Sequence, residues 1–128
     1  LYLGNLNSER DWGHARDYVE CMWKILQQEE PDDYVIATGE NTSVRDFVRI
    51  AFKHVDIDLK FEGEGVDEVG IDTRTGKVVV RVNPEFFRPT EVDKLLGDPS
   101  KAIQKLNWNP RSTSLEDMIK EMVSKDLK

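Results

Sequence analysis

The chain has 128 residues, 38% of them hydrophobic and 34% charged, with 18 Lys and Arg against 25 Asp and Glu for a formal charge of −7. That size fits one domain with a sizeable core, the apolar content excludes a disordered or collagen-like chain, and the acidic balance argues against general nucleic-acid binding. Apolar runs such as Tyr34 to Ala37 and Val78 to Val80 fall far below the roughly 20 residues that span a bilayer, so no membrane segment is expected.

Leu1 to Leu3 reads as the end of a strand before Gly4 and Asn5. From Ala15 the period turns helical. Val19, Met22, Trp23 and Leu26 recur at i, i+3, i+4 and i+7, with Arg16, Glu20, Lys24 and Gln27 on the other face. This pattern predicts a helix that ends near Glu30, with Trp23 in the core. Tyr34 to Ala37, bounded by Asp33 and Gly39, reads as a short buried strand. Ser43 and Asp46 have the spacing of a capping box and open a helix with the apolar stripe Val44, Phe47, Val48, Ala51, Phe52 and Val55. Ile57, Leu59 and Phe61 alternate with charged residues, the pattern of a half-buried strand.

Glycines 63, 65 and 70 then break regularity, and Thr75-Gly76 turns the chain into a strand carrying Val78, Val80 and Val82. Asp98 followed by Pro99 reads as a helix cap with proline at the first helical position, before a helix that buries Ala102, Ile103 and Leu106. Ser114 caps a last helix with Leu115, Met118, Ile119, Met122 and Val123 on its stripe. Four helices interleaved with four short strands make an α/β mixture.

Few residues invite chemistry. The single Cys21 cannot form an internal disulfide and suits a reducing cytosol; inside a helix and without a signature, it reads as packing. His14 and His54 lack the spacing of metal ligands, so no metal is expected. No GxGxxG fingerprint follows a strand, because Glu68 stands where the last glycine after Gly63 and Gly65 belongs. Glu62, Glu64, Asp67 and Glu68 suggest paired carboxylates or cation ligands, but a solvated loop is the simpler reading. Trp12 and Trp108 are open between core and ligand stacking. Two arginines are more telling: Arg10-Asp11-Trp12 precedes a helix, and Arg88-Pro89-Thr90-Glu91 follows the aromatic pair Phe86-Phe87. A guanidinium is a planar fork suited to phosphate oxygens and a nearby carboxylate suits ribose hydroxyls, although surface ion pairs would place the same residues there.

Gly4-Asn5-Leu6 with Arg10 to Glu20, Tyr34 to Glu40, Ser43 to Val48, Glu68-Val69-Gly70, Phe87 to Asp93, and Gly97 to Ala102 with Leu106 to Pro110 follow one another in an order that resembles GDP-mannose 4,6-dehydratases. These belong to the extended short-chain dehydrogenase/reductase superfamily. The resemblance covers essentially the whole chain. Arg10-Asp11 and Leu106 to Pro110 mark only the wider group of sugar-nucleotide epimerases and dehydratases, whereas Phe87 to Asp93 together with Trp12 to Val19 mark the GDP-mannose branch.

The resemblance implies a lyase, in the cytoplasm to which the lone Cys21 points, that oxidises C4 of the sugar with tightly bound NADP, eliminates water across C5 and C6, and returns the hydride to C6. The product would be GDP-4-keto-6-deoxymannose, the precursor of GDP-fucose. The family's cofactor glycines and catalytic Tyr-x-x-x-Lys lie in an N-terminal portion. Here Leu6, Met22 and Thr38 follow Tyr2, Tyr18 and Tyr34 by four positions, so no such pair exists in this chain. With Leu1 first and no methionine before Met22, the sequence reads as part of a longer protein. The fold expected is the C-terminal part of the superfamily fold, with residues 1–42 completing the dinucleotide-binding sheet and residues 43–128 forming the substrate lobe.

By similarity, Arg10 and Arg88 would hold the pyrophosphate of GDP-mannose, Glu91 would accept from the ribose, and Asn5 and Gly4 would line the guanine region. No catalytic, NADP-binding or metal-binding residue is expected in this chain, which alone should be inactive. Its partners would be the N-terminal Rossmann domain and, in the intact enzyme, further copies in a homodimer or homotetramer. Another sugar-nucleotide epimerase or dehydratase, or a non-catalytic nucleotide-sugar module, is the alternative.

Overall fold

Among the described residues, two sheets and four helices are built from short elements that alternate along the chain. The computed structural model describes residues 1–88 and 97–127. In chain order these are β1 (Tyr2–Leu3), β2 (Glu9–Asp11), α1 (Ala15–Leu26), β3 (Asn41–Ser43), α2 (Val44–Lys53), β4 (Leu59–Glu62), β5 (Val69–Asp72), β6 (Val78–Val82), α3 (Ser100–Leu106) and α4 (Leu115–Asp126). A four-stranded sheet runs β1-β6-β5-β4, and β2 and β3 form a separate antiparallel pair. Within the larger sheet β4, β5 and β6 are antiparallel neighbours, while β1 lies parallel to β6 with Tyr2 opposite Arg81 and Leu3 opposite Val82.

The helix starts follow from their caps. Ser43 Oγ accepts from Asp46 N and Ser114 Oγ from Asp117 N, each at 3.1 Å, satisfying one of the N–H groups that a helix leaves unpaired at its first turn. α3 begins at Ser100, one residue after Pro99 rather than on it, and the Asp98 carboxylate accepts from both Ser100 N and Ser100 Oγ. It ends at Asn107, whose φ of 52° is the left-handed conformation common after a helix.

Two apolar clusters hold these elements. Val48 of α2 packs on Leu59 and Val80 of the sheet, with Leu3, Phe52 and Phe61 around them. Gly70 of β5 passes so close beneath Val80 and Phe61 that a Cβ there would lie 3.0 Å from the valine and 3.1 Å from the ring. The second cluster joins Cys21 of α1 to Ala102 and Leu106 of α3 and to Trp108. Trp108 is core: it is 2% exposed and its indole N–H donates to Asp17 O at 2.9 Å. Cys21 is fully buried, and burial pushes its thiol pKa up, as expected of a packing residue.

Several expectations from the sequence are corrected. Trp23 is 60% exposed, and Val19, Met22 and Leu26 lie outward with it. α1 has two apolar faces, and the one that packs on this chain carries Tyr18, Cys21 and Ile25. The helix also stops at Leu26, short of Glu30. Tyr34 to Ala37 belongs to no strand: Tyr34 and Ile36 pack on the second cluster, but among the described residues no strand pairs with the segment. Glu68, read as part of a solvated loop, is buried and paired with Arg45. No helix is long and apolar enough to cross a membrane among the described residues.

Candidate functional site

The parallel pairing of β1 with β6 sets the carboxyl ends of two strands side by side, where open sheets commonly leave a crevice. Past β1 the chain reaches Gly4 and Asn5 and turns, with Asn7 N donating to Asn5 Oδ1 at 2.9 Å. It then enters β2, which carries Arg10. Past β6, Asn83 N donates to Leu3 O at 2.8 Å, and Asn83 opens a turn through Glu85 and Phe86 to Arg88. A cleft of about 520 Å³ lies between these two exits, within the size range of small-ligand sites.

Four of the five residues singled out from the sequence, Gly4, Asn5, Arg10 and Arg88, line this one cleft. Glu91 lies outside the described residues. Arg10 is half-buried and its Nη1 donates to Glu9 O at 2.8 Å, whereas Arg88 is exposed. Gly4 serves by its lack of a side chain, since a Cβ there would stand 2.7 Å from Phe86 O and push the two exits apart. Ser8, Glu85 and Phe86 also line the cleft and were not singled out as site residues from the sequence. A serine in a turn leaves no sequence signal, whereas Phe86 could have been found from its place in the aromatic pair that precedes Arg88.

β2 is held in position by Asp11. Its carboxylate accepts from Thr38 Oγ1 at 2.6 Å, Thr38 N at 2.9 Å and Gly39 N at 3.0 Å, tying β2 to the segment before β3. Trp12, the other tryptophan left open by the sequence, donates from Nε1 to Thr42 O at 2.9 Å and tilts against Phe47 with ring centroids 4.3 Å apart. His14 caps α1 by accepting from Arg16 N at 3.0 Å, and buried Asp17 accepts from Thr113 N at 2.9 Å across to the start of α4. Both secure the helix after Arg10, His14 at its first turn and Asp17 through Thr113.

Two guanidinium groups, Arg10 on β2 and Arg88 in the turn beyond β6, line the cleft together with Glu85, in a chain whose net charge is negative. Among the described residues no group of three or more His, Cys, Asp or Glu side chains could hold a metal ion. Gly63 and Gly65 lead into a short 3-10 turn and β5, not into a helix N-terminus, so they do not form a dinucleotide cradle.

A family model described as GDP-mannose 4,6 dehydratase matches residues 1–122. The chain is 59% identical over 125 residues to a GDP-mannose 4,6 dehydratase of Drosophila melanogaster, covering 98% of this chain and 31% of that protein. It is 57% identical over 127 residues to one of Dictyostelium discoideum, covering 99% and 35%, and 54% identical over 125 residues to one of Homo sapiens, covering 98% and 33%. The chain thus spans about a third of the length of the curated relatives it matches. A solved structure of RMD from Pseudomonas aeruginosa complexed with NADPH superposes with a TM-score of 0.72 at 14% identity, covering 97% of this chain and 34% of that one, a likeness of fold.

Proposed function

The chain belongs to the GDP-mannose 4,6-dehydratase family, and from that premise we propose that it is the C-terminal, nucleotide-sugar-binding part of such an enzyme. The whole protein, a cytoplasmic lyase on this reading, converts GDP-mannose to GDP-4-keto-6-deoxymannose on the way to GDP-fucose and related deoxysugars. The observation that carries the reading is the meeting of Arg10 and Arg88 at one cleft of about 520 Å³.

In that cleft Arg10 and Arg88 hold the diphosphate, each guanidinium offering a planar set of donors to phosphate oxygens. Gly4 and Asn5 line the guanine region, Phe86 presents an apolar face to base or ribose, and Glu91 accepts from the ribose hydroxyls. NADP is the cofactor of the whole enzyme. The residues described here do not fit it, and it is assigned to the N-terminal Rossmann portion of the longer protein. With no Tyr-x-x-x-Lys pair in the 128 residues, this chain alone has no dehydratase activity. Residues 1–42 complete the dinucleotide-binding domain and residues 43–128 form the substrate lobe. The outward face of α1 at Val19, Met22, Trp23 and Leu26 is then surface that the longer protein covers, within one copy or in a homodimer or homotetramer.

Calorimetric titration with GDP-mannose tests the site. Binding that both Arg10→Ala and Arg88→Ala weaken, with GDP preferred over UDP and dTDP, is the expected result. A folded chain that binds UDP or dTDP as well as GDP points to another sugar-nucleotide enzyme, and binding indifferent to both arginines overturns the assignment of the cleft.

A further inference from the structure

Ser8 is 2% exposed, yet its hydroxyl has no hydrogen-bond partner. The segment around it is otherwise satisfied and held. Ser8 O accepts from Val44 N at 2.9 Å, Leu6 O from Arg45 N at 3.1 Å and Asn7 Oδ1 from Arg45 Nη2 at 2.6 Å. The backbone of the turn is therefore fixed from α2 while one hydroxyl is left over. A buried hydroxyl without a partner costs stability that an alanine would not, so its presence asks for something that pairs with it. Among the described residues unpartnered buried side-chain atoms occur on Ser8, Asn41 and His54, and of these Ser8 alone lines the cleft with Arg10 and Asn5.

A serine hydroxyl moves among three staggered positions by rotation about one bond, so Oγ can turn toward the cleft that Ser8 lines without any change in the backbone. An anion seated between Arg10 and Arg88 presents several acceptor oxygens, and an O–H is a donor suited to them. We propose that Ser8 is a binding residue of the cleft, its hydroxyl donating to a phosphate oxygen of the nucleoside diphosphate. The proposal rests on the nucleotide-sugar reading of the cleft given above.

The test is calorimetric titration of the 128-residue chain with GDP, for the wild type, Ser8→Ala, Ser8→Cys and Arg10→Ala, alongside their melting temperatures. Ser8→Ala is expected to bind GDP about tenfold more weakly or worse, because a charge-assisted hydrogen bond is lost. Its melting temperature without nucleotide should equal or exceed that of the wild type, because no bond is lost in the unliganded chain. Ser8→Cys, of similar shape with a weak S–H donor, should fall between. A Ser8→Ala chain that keeps wild-type affinity, or loses affinity and melting temperature together, overturns the inference while Arg10→Ala still reports on the cleft. A wild type that does not bind GDP, or binds it regardless of Arg10, brings down the reading of the cleft and this inference with it.

Discussion

Arg45 and Glu68 form a two-pronged ion pair, Nε donating to Oε2 and Nη2 to Oε1, each at 2.6 Å. The Glu68 side chain is 6% exposed and that of Arg45 25%, so the pair is mostly out of water. The same guanidinium reaches Asn7, so the pair links the residue that leads into β5, through α2, to the turn that borders the cleft. Removing one partner of a buried pair leaves the other charge uncompensated. Glu68→Ala should therefore destabilise the chain by about 3 kcal/mol in urea unfolding. A loss below about 1 kcal/mol would mean that the pair behaves like a solvated surface bridge.

Tyr18 has a pH signature. Burial first, and then the nearby Asp11 carboxylate, push its pKa from 10.0 up to about 12. The folded state holds the phenolic proton more tightly than the unfolded chain, so this contribution to stability is complete below pH 10 and disappears as pH rises from 10 towards 12. In Tyr18→Phe the fall in stability across that window should shrink, as followed by unfolding at stepped pH. A wild-type Tyr18 that titrates at the ordinary tyrosine pKa in a near-ultraviolet titration would contradict the assignment.

Gly4 separates the effect of cleft shape from that of charge. Gly4→Ala places a methyl group where Phe86 O stands 2.7 Å away, and overpacking of this kind costs about 1–3 kcal/mol. The displaced turn carries Phe86 and Arg88, so GDP affinity should fall with both arginines still present. Unchanged affinity would show that the two strand exits yield without altering the cleft.

The outward face of α1 should make the chain self-associate. Val19, Met22, Trp23 and Leu26 are 60%, 52%, 60% and 80% exposed. Concentration-dependent association is expected in sedimentation velocity, and Met22→Lys with Trp23→Lys should abolish it at little cost in stability, since neither side chain is in the core. A wild type that sediments as a monomer at every concentration would contradict this.

The sequence was most informative where local chemistry fixes local structure. Ser43 and Ser114 announced α2 and α4, and the alternating valines announced β6, because a cap or a period of two needs no distant partner. β2 and β3, spelled Glu-Arg-Asp and Asn-Thr-Ser, have no apolar alternation and exist only because they pair with each other. β5 was hidden by Gly70, which is there for a close approach to Val80 that the sequence does not announce. Trp23 shows the same limit from the other side: periodicity marks a face as apolar but does not say what covers it. At the candidate site, Arg10 and Arg88 were singled out by the forked donor geometry of a guanidinium, which surface ion pairs share, and the fold adds that both line one cleft; the Arg45–Glu68 pair joins residues of ordinary surface types and became visible only in the fold.

The parallel ladder between β1 and β6 also bears on kinetics. Tyr2 finds Arg81 only after nearly the whole intervening chain has been gathered in, and β1 is two residues long, so a large loss of chain entropy precedes a small reward. The β4-β5-β6 meander closes through short turns and should form first, with β1 docking last. The crevice beside Gly4 is completed only by that final step. A nucleotide that recognises the completed crevice then has nothing to bind in the folding transition state, so it should lengthen the lifetime of the folded chain and leave its folding rate almost unchanged.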